Sequence, residues 1–377
     1  MAIKNKIKAF IKKILNKSGL KTNRQIIVFE SDDWGAIRNS SAEAVEQLKK
    51  EFPDMLINNY TTLDCLESND DINELKKVLL SHNDSKGNHA KFTLNFATAN
   101  PNFNKIKENN YKTFYHERID ETYQNTPNSE NVLDEVKDGI NLGVFQPQLH
   151  SREHINSQFL IDDLQNNAKV KRAFDLKIVG VTNENYSGLD SLNCSKNETN
   201  EKHLTEAMKY FVDLFGFTPT TYIAPCYVWN KDDEIILKNL GVKALQGKIF
   251  QNIPITRNNY KKKFHKFGSV SKSSKLKYLY RNCFFEPSKS RLDGNSEDQI
   301  INNIMREIEF AFNCKKPAII CTHRVNYTSG ISIENRNLNL KLLNSLIEKI
   351  KEKYTKVEFM STDELYEELL NDRNKKI

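Results

Sequence analysis

The chain has 377 residues, 28% of them charged and 38% hydrophobic, which suits a soluble globular protein with room for one large or two small domains. Its formal net charge of +7 equals the seven lysines that fall, with no acid among them, in residues 1–21. The rest of the chain is therefore balanced, which argues against a broad nucleic-acid-binding surface and leaves a local basic arm. No apolar run approaches the ~18 residues of a membrane span. The N-terminal apolar residues are interleaved with lysine rather than gathered into a signal-peptide core. The six cysteines form no CxxC pair, which fits a reducing compartment, so a cytoplasmic location is expected.

In chain order, Ile3, Ile7, Phe10, Ile11, Ile14 and Leu15 recur at helical spacing, with lysines between them and Gly19 after them. Two readings fit residues 2–17: a helix lying on the inner face of an anionic membrane, or one docked on its own domain or a partner. This arm, residues 1–20, precedes a main domain expected over 21–377. Gln25–Phe29 is a short apolar strand that stops at Glu30-Ser31-Asp32-Asp33-Trp34-Gly35, and a helix capped by Ser40 and Glu43 follows. The alternation continues with helices near 71–81, 131–141, 203–215, 231–240, 297–312 and 337–352, and one from Ser361. The strands between them are expected near 91–97, 143–149, 220–223, 242–245, 284–285, 318–322 and 357–360. Many β-then-α units imply a parallel sheet or barrel. Residues 98–130, 184–202 and the basic 251–280 read as insertions or long loops over a site.

Three strand ends deliver ionisable groups: Asp32-Asp33, His150 and His323. In parallel α/β folds such ends share one face, so distant segments meet there. His150 and His154 are four apart and would face the same way on a helix. As a pair alone they fit surface histidines, but with a carboxylate from another strand they form a two-His, one-carboxylate set with open positions on a metal. Asp pairs are also common in turns and caps. Here they follow an apolar strand directly, and alternation along it would give the two carboxylates different tasks.

Taken together, these stretches resemble the polysaccharide deacetylases of the NodB-homology class. Phe29–Gly35 is similar to the family's first motif, an apolar strand running into Asp-Asp. His150-Ser151-x-x-His154 resembles the second, Tyr222-Ile223-Ala224-Pro225 the third, and Ile319–His323 the last. The likeness spans about residues 24–370 and implies a distorted (β/α) barrel with long loop insertions. It implies Asp33, His150 and His154 as ligands of Zn2+ or another divalent cation, Asp32 as general base and His323 as general acid. Trp34, Tyr227 and Arg324 are the expected substrate contacts, with a backbone N–H near Tyr227 facing the oxyanion. The implied activity is removal of an N-acetyl group from a sugar, free, nucleotide-linked or lipid-linked, in surface-polysaccharide or glycoconjugate synthesis. Two other readings share the fold: a deformylase-like enzyme on a lipid-linked amino sugar, and a non-catalytic carbohydrate-binding relic. The chain departs from the pattern where Ile223 replaces the Arg that normally pairs with the base. Arg38, Arg281 and Arg324 are the candidates to replace that Arg. The fourth motif is also missing, and the stretch Arg281–Pro287 is the candidate to serve instead.

Overall fold

The computed structural model describes residues 18–55, 58–180, 192 and 197–374, so the expected N-terminal helix at 2–17 lies outside the described residues. The architecture is α/β, with a parallel sheet ringed by helices. Its strands are β1 (Gln25–Trp34), β2 (Phe92–Phe96), β5 (Phe145–Leu149), β6 (Thr221–Ile223), β7 (Ala244–Gly247), β10 (Lys277–Tyr280), β11 (Cys283–Phe284), β12 (Ala318–His323) and β13 (Val357–Phe359). Two antiparallel hairpins stand apart from it: β3 (Ala99–Pro101) with β4 (His116–Arg118), and β8 (Phe250–Thr256) with β9 (Asn259–Phe264). No described helix is long and apolar enough to cross a membrane.

The strand order β10-β7-β6-β5-β2-β1-β12-β11 places β10 and β11, near neighbours in the chain, at opposite ends of the path. Only Arg281 and Asn282 separate them. The Arg281 N–H donates to the Gly247 carbonyl of β7 at 2.8 Å, and the Asn282 N–H to the Ile319 carbonyl of β12 at 3.1 Å. The broken strand thus joins both edges and closes the ring, which makes the sheet a distorted barrel. β13 pairs only with the first residues of β1, Gln25–Ile27, below the point where β2 begins to pair.

Alternation along β1 sorts its residues by face. Ile27 and Phe29 pack outward with Leu343, Leu346 and Ile304 of the surrounding helices. Ile26 and Val28 face Ala244, Leu279 and Ile319 of other barrel strands. Above that apolar layer the interior turns polar. Asn95 donates to Gln246 at 2.9 Å, Gln246 to Thr221 at 2.8 Å, and Gln148 accepts from the Thr221 N–H at 2.7 Å. Buried polar groups require such partners, and the layer forms a rigid floor under the barrel mouth.

Several boundaries differ from the sequence expectation. The first helix is Ala42–Glu51 and is capped by Ser41, which accepts from the Ala44 N–H at 3.2 Å, whereas Ser40 donates to the Leu176 carbonyl. Residues 251–280 are not one long loop: they hold the β8–β9 hairpin and the barrel strand β10. The 98–130 stretch holds the β3–β4 hairpin and two short helices, Phe103–Glu108 and Ile119–Gln124.

Candidate active site

The strand ends open into a cavity of about 500 Å³ whose lining includes Asp32, Asp33, His150, His154 and His323. Strict alternation would send Asp32 inward and Asp33 outward. A bulge interrupts the β1–β2 register between Ser31 and Trp34, and Asp33 takes a left-handed φ of 77°. That backbone twist brings both carboxylates to the mouth. Trp34, next along, returns to the outer face. It is fully buried, packs on Phe96 and donates its Nε1–H to Ser31. It does not line the cavity, so the expected Trp34–substrate contact is replaced by a core role. Gly35 then turns the chain away with φ 80°, where a Cβ would fall 2.7 Å from the Ala97 carbonyl oxygen.

His150 and His154 are not on a helix. They lie on an irregular loop after β5, with Ser151 at φ 77°. The loop is braced by His203, a residue the sequence did not single out. His203 Nε2 accepts from the Arg152 N–H, so the Ser151 hydroxyl donates to the same nitrogen at 2.7 Å. Glu153, 1% exposed, is held by Arg152 at 2.6 and 2.8 Å and faces His203 Nδ1 at 3.4 Å. The imidazoles of His150 and His154 end with ring centroids 4.8 Å apart.

Asp33 Oδ1 is 3.5 Å from His150 Nε2 and 3.4 Å from His154 Nε2. His150 Nδ1 meets the Ile223 carbonyl at 2.9 Å, which requires Nδ1–H, so Nε2 is the nitrogen that offers a lone pair when the ring acts as a ligand. That Nε2 is buried and has no hydrogen-bond partner. An unsatisfied buried acceptor aimed at a carboxylate and a second imidazole fits a bound cation. Burial and the Arg38 guanidinium hold His154 well below the usual imidazole range, so it is neutral, as a ligand must be. Burial would raise the Asp33 pKa, but the Arg38 guanidinium, 3.4 Å away, keeps its carboxyl well below the usual range.

Asp32 is gripped by Arg281, whose Nη1 and Nη2 donate to Oδ2 and Oδ1 at 2.5 and 2.6 Å, while Asn95 donates to Oδ1 at 2.8 Å. Arg281 also reaches Glu30 at 2.6 Å and is itself fully buried. Burial would raise the Asp32 pKa; this guanidinium more than offsets it and lowers the carboxyl to about 2. Arg281 therefore fills the place left by Ile223, from the junction that closes the barrel. Arg38 instead spans Asp33 and Asp64. Arg324 is wholly buried between Asp64 and Glu67, at 3.0 and 2.9 Å, so it braces the core and does not reach the cavity as a substrate contact.

His323 Nδ1 lies 2.5 Å from Glu286 Oε1, and Nε2 faces Asp32 Oδ2 at 3.8 Å. Burial disfavours the charged ring, but Glu286 outweighs it and the pKa is pushed up to about 10. Asn326 fixes the other Glu286 oxygen at 2.9 Å. Glu286 belongs to the Arg281–Pro287 stretch, the candidate for the missing fourth motif, although the sequence did not single it out within that stretch. Tyr227 lines the cavity, but its backbone N–H donates to the Ala224 carbonyl at 2.9 Å. That N–H is committed within the turn, so an oxyanion donor near Tyr227 would have to be a neighbouring group.

No protein-family model matches the chain, and no curated protein matches it. Among solved structures it is similar to a protein assigned as a polysaccharide deacetylase in Pseudomonas aeruginosa, at 8% identity over 91% of this chain and 90% of that one, with a TM-score of 0.48. A protein assigned the same way in Mycobacterium smegmatis gives 11% identity, 94% and 93% coverage and a TM-score of 0.47. A family 4 carbohydrate esterase pseudoenzyme from Bacillus anthracis gives 11%, 91% and 66%, with 0.40. Alignments this loose leave the residues of the site as the ground for any reading of function.

Proposed function

We propose that the protein is a metal-dependent hydrolase that removes an N-acetyl group from an amino sugar. One observation carries this reading. A two-imidazole, one-carboxylate cluster with an unpartnered His150 Nε2 shares a cavity with an ionised Asp32 and a protonated His323. A divalent ion bound by Asp33, His150 and His154 would polarise the acyl carbonyl and lower the pKa of water. Asp32 is placed to accept a proton from the attacking water. The Arg281 clamp keeps Asp32 ionised at neutral pH and so able to take that proton. His323, charged near neutral pH, is placed to hand a proton from Nε2 to the departing amine, with Glu286 holding Nδ1. The products are a free amino sugar and acetate.

Retention of Arg281 on Asp32 and Glu286 on His323 supports catalysis over a binding relic, since a relic needs neither group tuned. Acetate release from N-acetylated amino sugars tests the reading. Asp32→Asn should slow it by the roughly 10²–10⁴-fold of a lost base. A filled metal site with no release of acetate or formate from free, nucleotide-linked or lipid-linked sugars would overturn it.

A further inference from the structure

The cavity has one wall of a different character. It is made by the residues just after β7 and by the β8–β9 hairpin, and it presents Lys248, Phe250, Asn252 and Lys262. Asn252 and Lys262 are direct cross-strand partners, so their side chains share one face of the hairpin. Lys248 is held against that wall, its Nζ 4.4 Å from the centre of the Tyr227 ring.

Charge on the floor of the cavity is already matched. Arg281 pairs with Asp32, Arg38 with Asp33, and Glu286 with His323. Arg257 at the hairpin tip pairs with Asp163 and Lys243 before β7 with Glu367, whereas Lys261 and Lys263, which flank Lys262 on β9, make no ion pair among the described residues and do not line the cavity. Lys248 and Lys262 line the cavity, yet among the described residues neither makes an ion pair. Two such ammonium groups on one wall gain nothing from a neutral acetylated glycan. A phosphate monoester carries roughly −1.5 to −2 near neutral pH, and an esterified diphosphate keeps one negative charge on each phosphate, so either suits both.

We propose that the substrate is an N-acylated amino sugar carrying a phosphate ester, with the phosphate held by Lys248 and Lys262 while the acyl group faces Asp32 and His323. This rests on the cavity being the substrate site of the proposed hydrolase. Nucleotide-diphosphate sugars and lipid-linked sugar phosphates share the chemistry.

Calorimetric titration of the full, metal-loaded chain separates the outcomes. N-acetylglucosamine 1-phosphate should bind about tenfold or more tightly than methyl N-acetylglucosaminide, and added salt should narrow the gap. Lys248→Gln and Lys262→Gln should each reduce the preference, and the double variant should erase it. Both side chains are exposed, so the variants should fold. Equal affinities in the native protein would overturn the proposal. So would a preference that survives the double variant, which would place the anion on the metal or on Arg38. Further tightening by a uridine-diphosphate sugar or by a short-chain polyprenyl-diphosphate sugar would support the proposal and identify the source. Acetate release without phosphate preference would remove this inference and leave the hydrolase. A lysine-dependent preference without acyl release would do the reverse.

Discussion

Glu286→Gln removes the charge that faces His323 and keeps an oxygen able to accept from Nδ1–H. In the native protein burial opposes the imidazolium, but Glu286, 2.5 Å away, prevails and the ring titrates at about 10. Without that charge burial is opposed by the more distant Asp32 and Asp33, and the ring should titrate near free imidazole, ~6.5. At pH 8 a ring titrating near 10 is ~99% protonated and one near 6.5 is ~3%, so an acid-dependent step should slow roughly 30-fold. Most of that loss should return at pH 6. The assay is the pH profile of kcat/KM for acetate release, and the readout is displacement of the alkaline limb. The field of a bound ion acts on both proteins alike, so the difference between them is the test. An unmoved limb would refute the coupling of Glu286 to His323, and a loss that acid does not rescue would show that Glu286 does more than charge the ring.

Arg281→Met should strand Glu30 and Asp32 as buried charges and cost roughly 3–5 kcal/mol near neutral pH. The deficit should shrink as acid neutralises both groups. Thermal melts at pH 7 and pH 4.5 check this, and an unchanged Tm would contradict the clamp. His265 packs at a tilt against Tyr278 with centroids 3.7 Å apart, and burial lowers its pKa to about 4. Its stabilising contribution is complete above the unfolded value, ~6.5, and is lost as pH falls toward 4, since the unfolded chain takes up the proton first. The loss amounts to roughly 3 kcal/mol. Urea midpoints at pH 7.5 and 4.5 should separate far more in the native protein than in His265→Gln; equal separation would remove His265 as the cause.

Much of the barrel was legible because its parallel strands are buried on both faces and so read as continuous apolar runs, as in Ile26–Phe29 and Ala318–Cys321. β10 was not, because it follows Lys272 and Lys275 and begins at Lys277, whose buried chain lies over the Tyr366 ring. The strand ends were legible as a meeting point, but their local geometry was not. Alternation cannot anticipate the bulge that turns Asp33 to the mouth, and the four-residue spacing of His150 and His154 suggested a helix where a braced loop stands. Arg281 lies 249 positions from Asp32, so only the closed ring reveals the pairing. Trp34 and Arg324 look functional because they adjoin motif residues. Trp34 returns to the strand's outer face, and two buried acids claim Arg324.

The most direct test of the central claim is metal content of the purified chain and three variants, read by elemental analysis. About one divalent ion per native chain is expected, as a three-ligand site requires. Asp32→Asn should keep the ion, because Asp32 is held by Arg281 and Asn95 rather than placed among the three ligands. Asp33→Asn and His150→Ala should lose it. A native chain that takes up no divalent ion, or an Asp33→Asn chain that binds one as tightly as the native protein, would contradict the account.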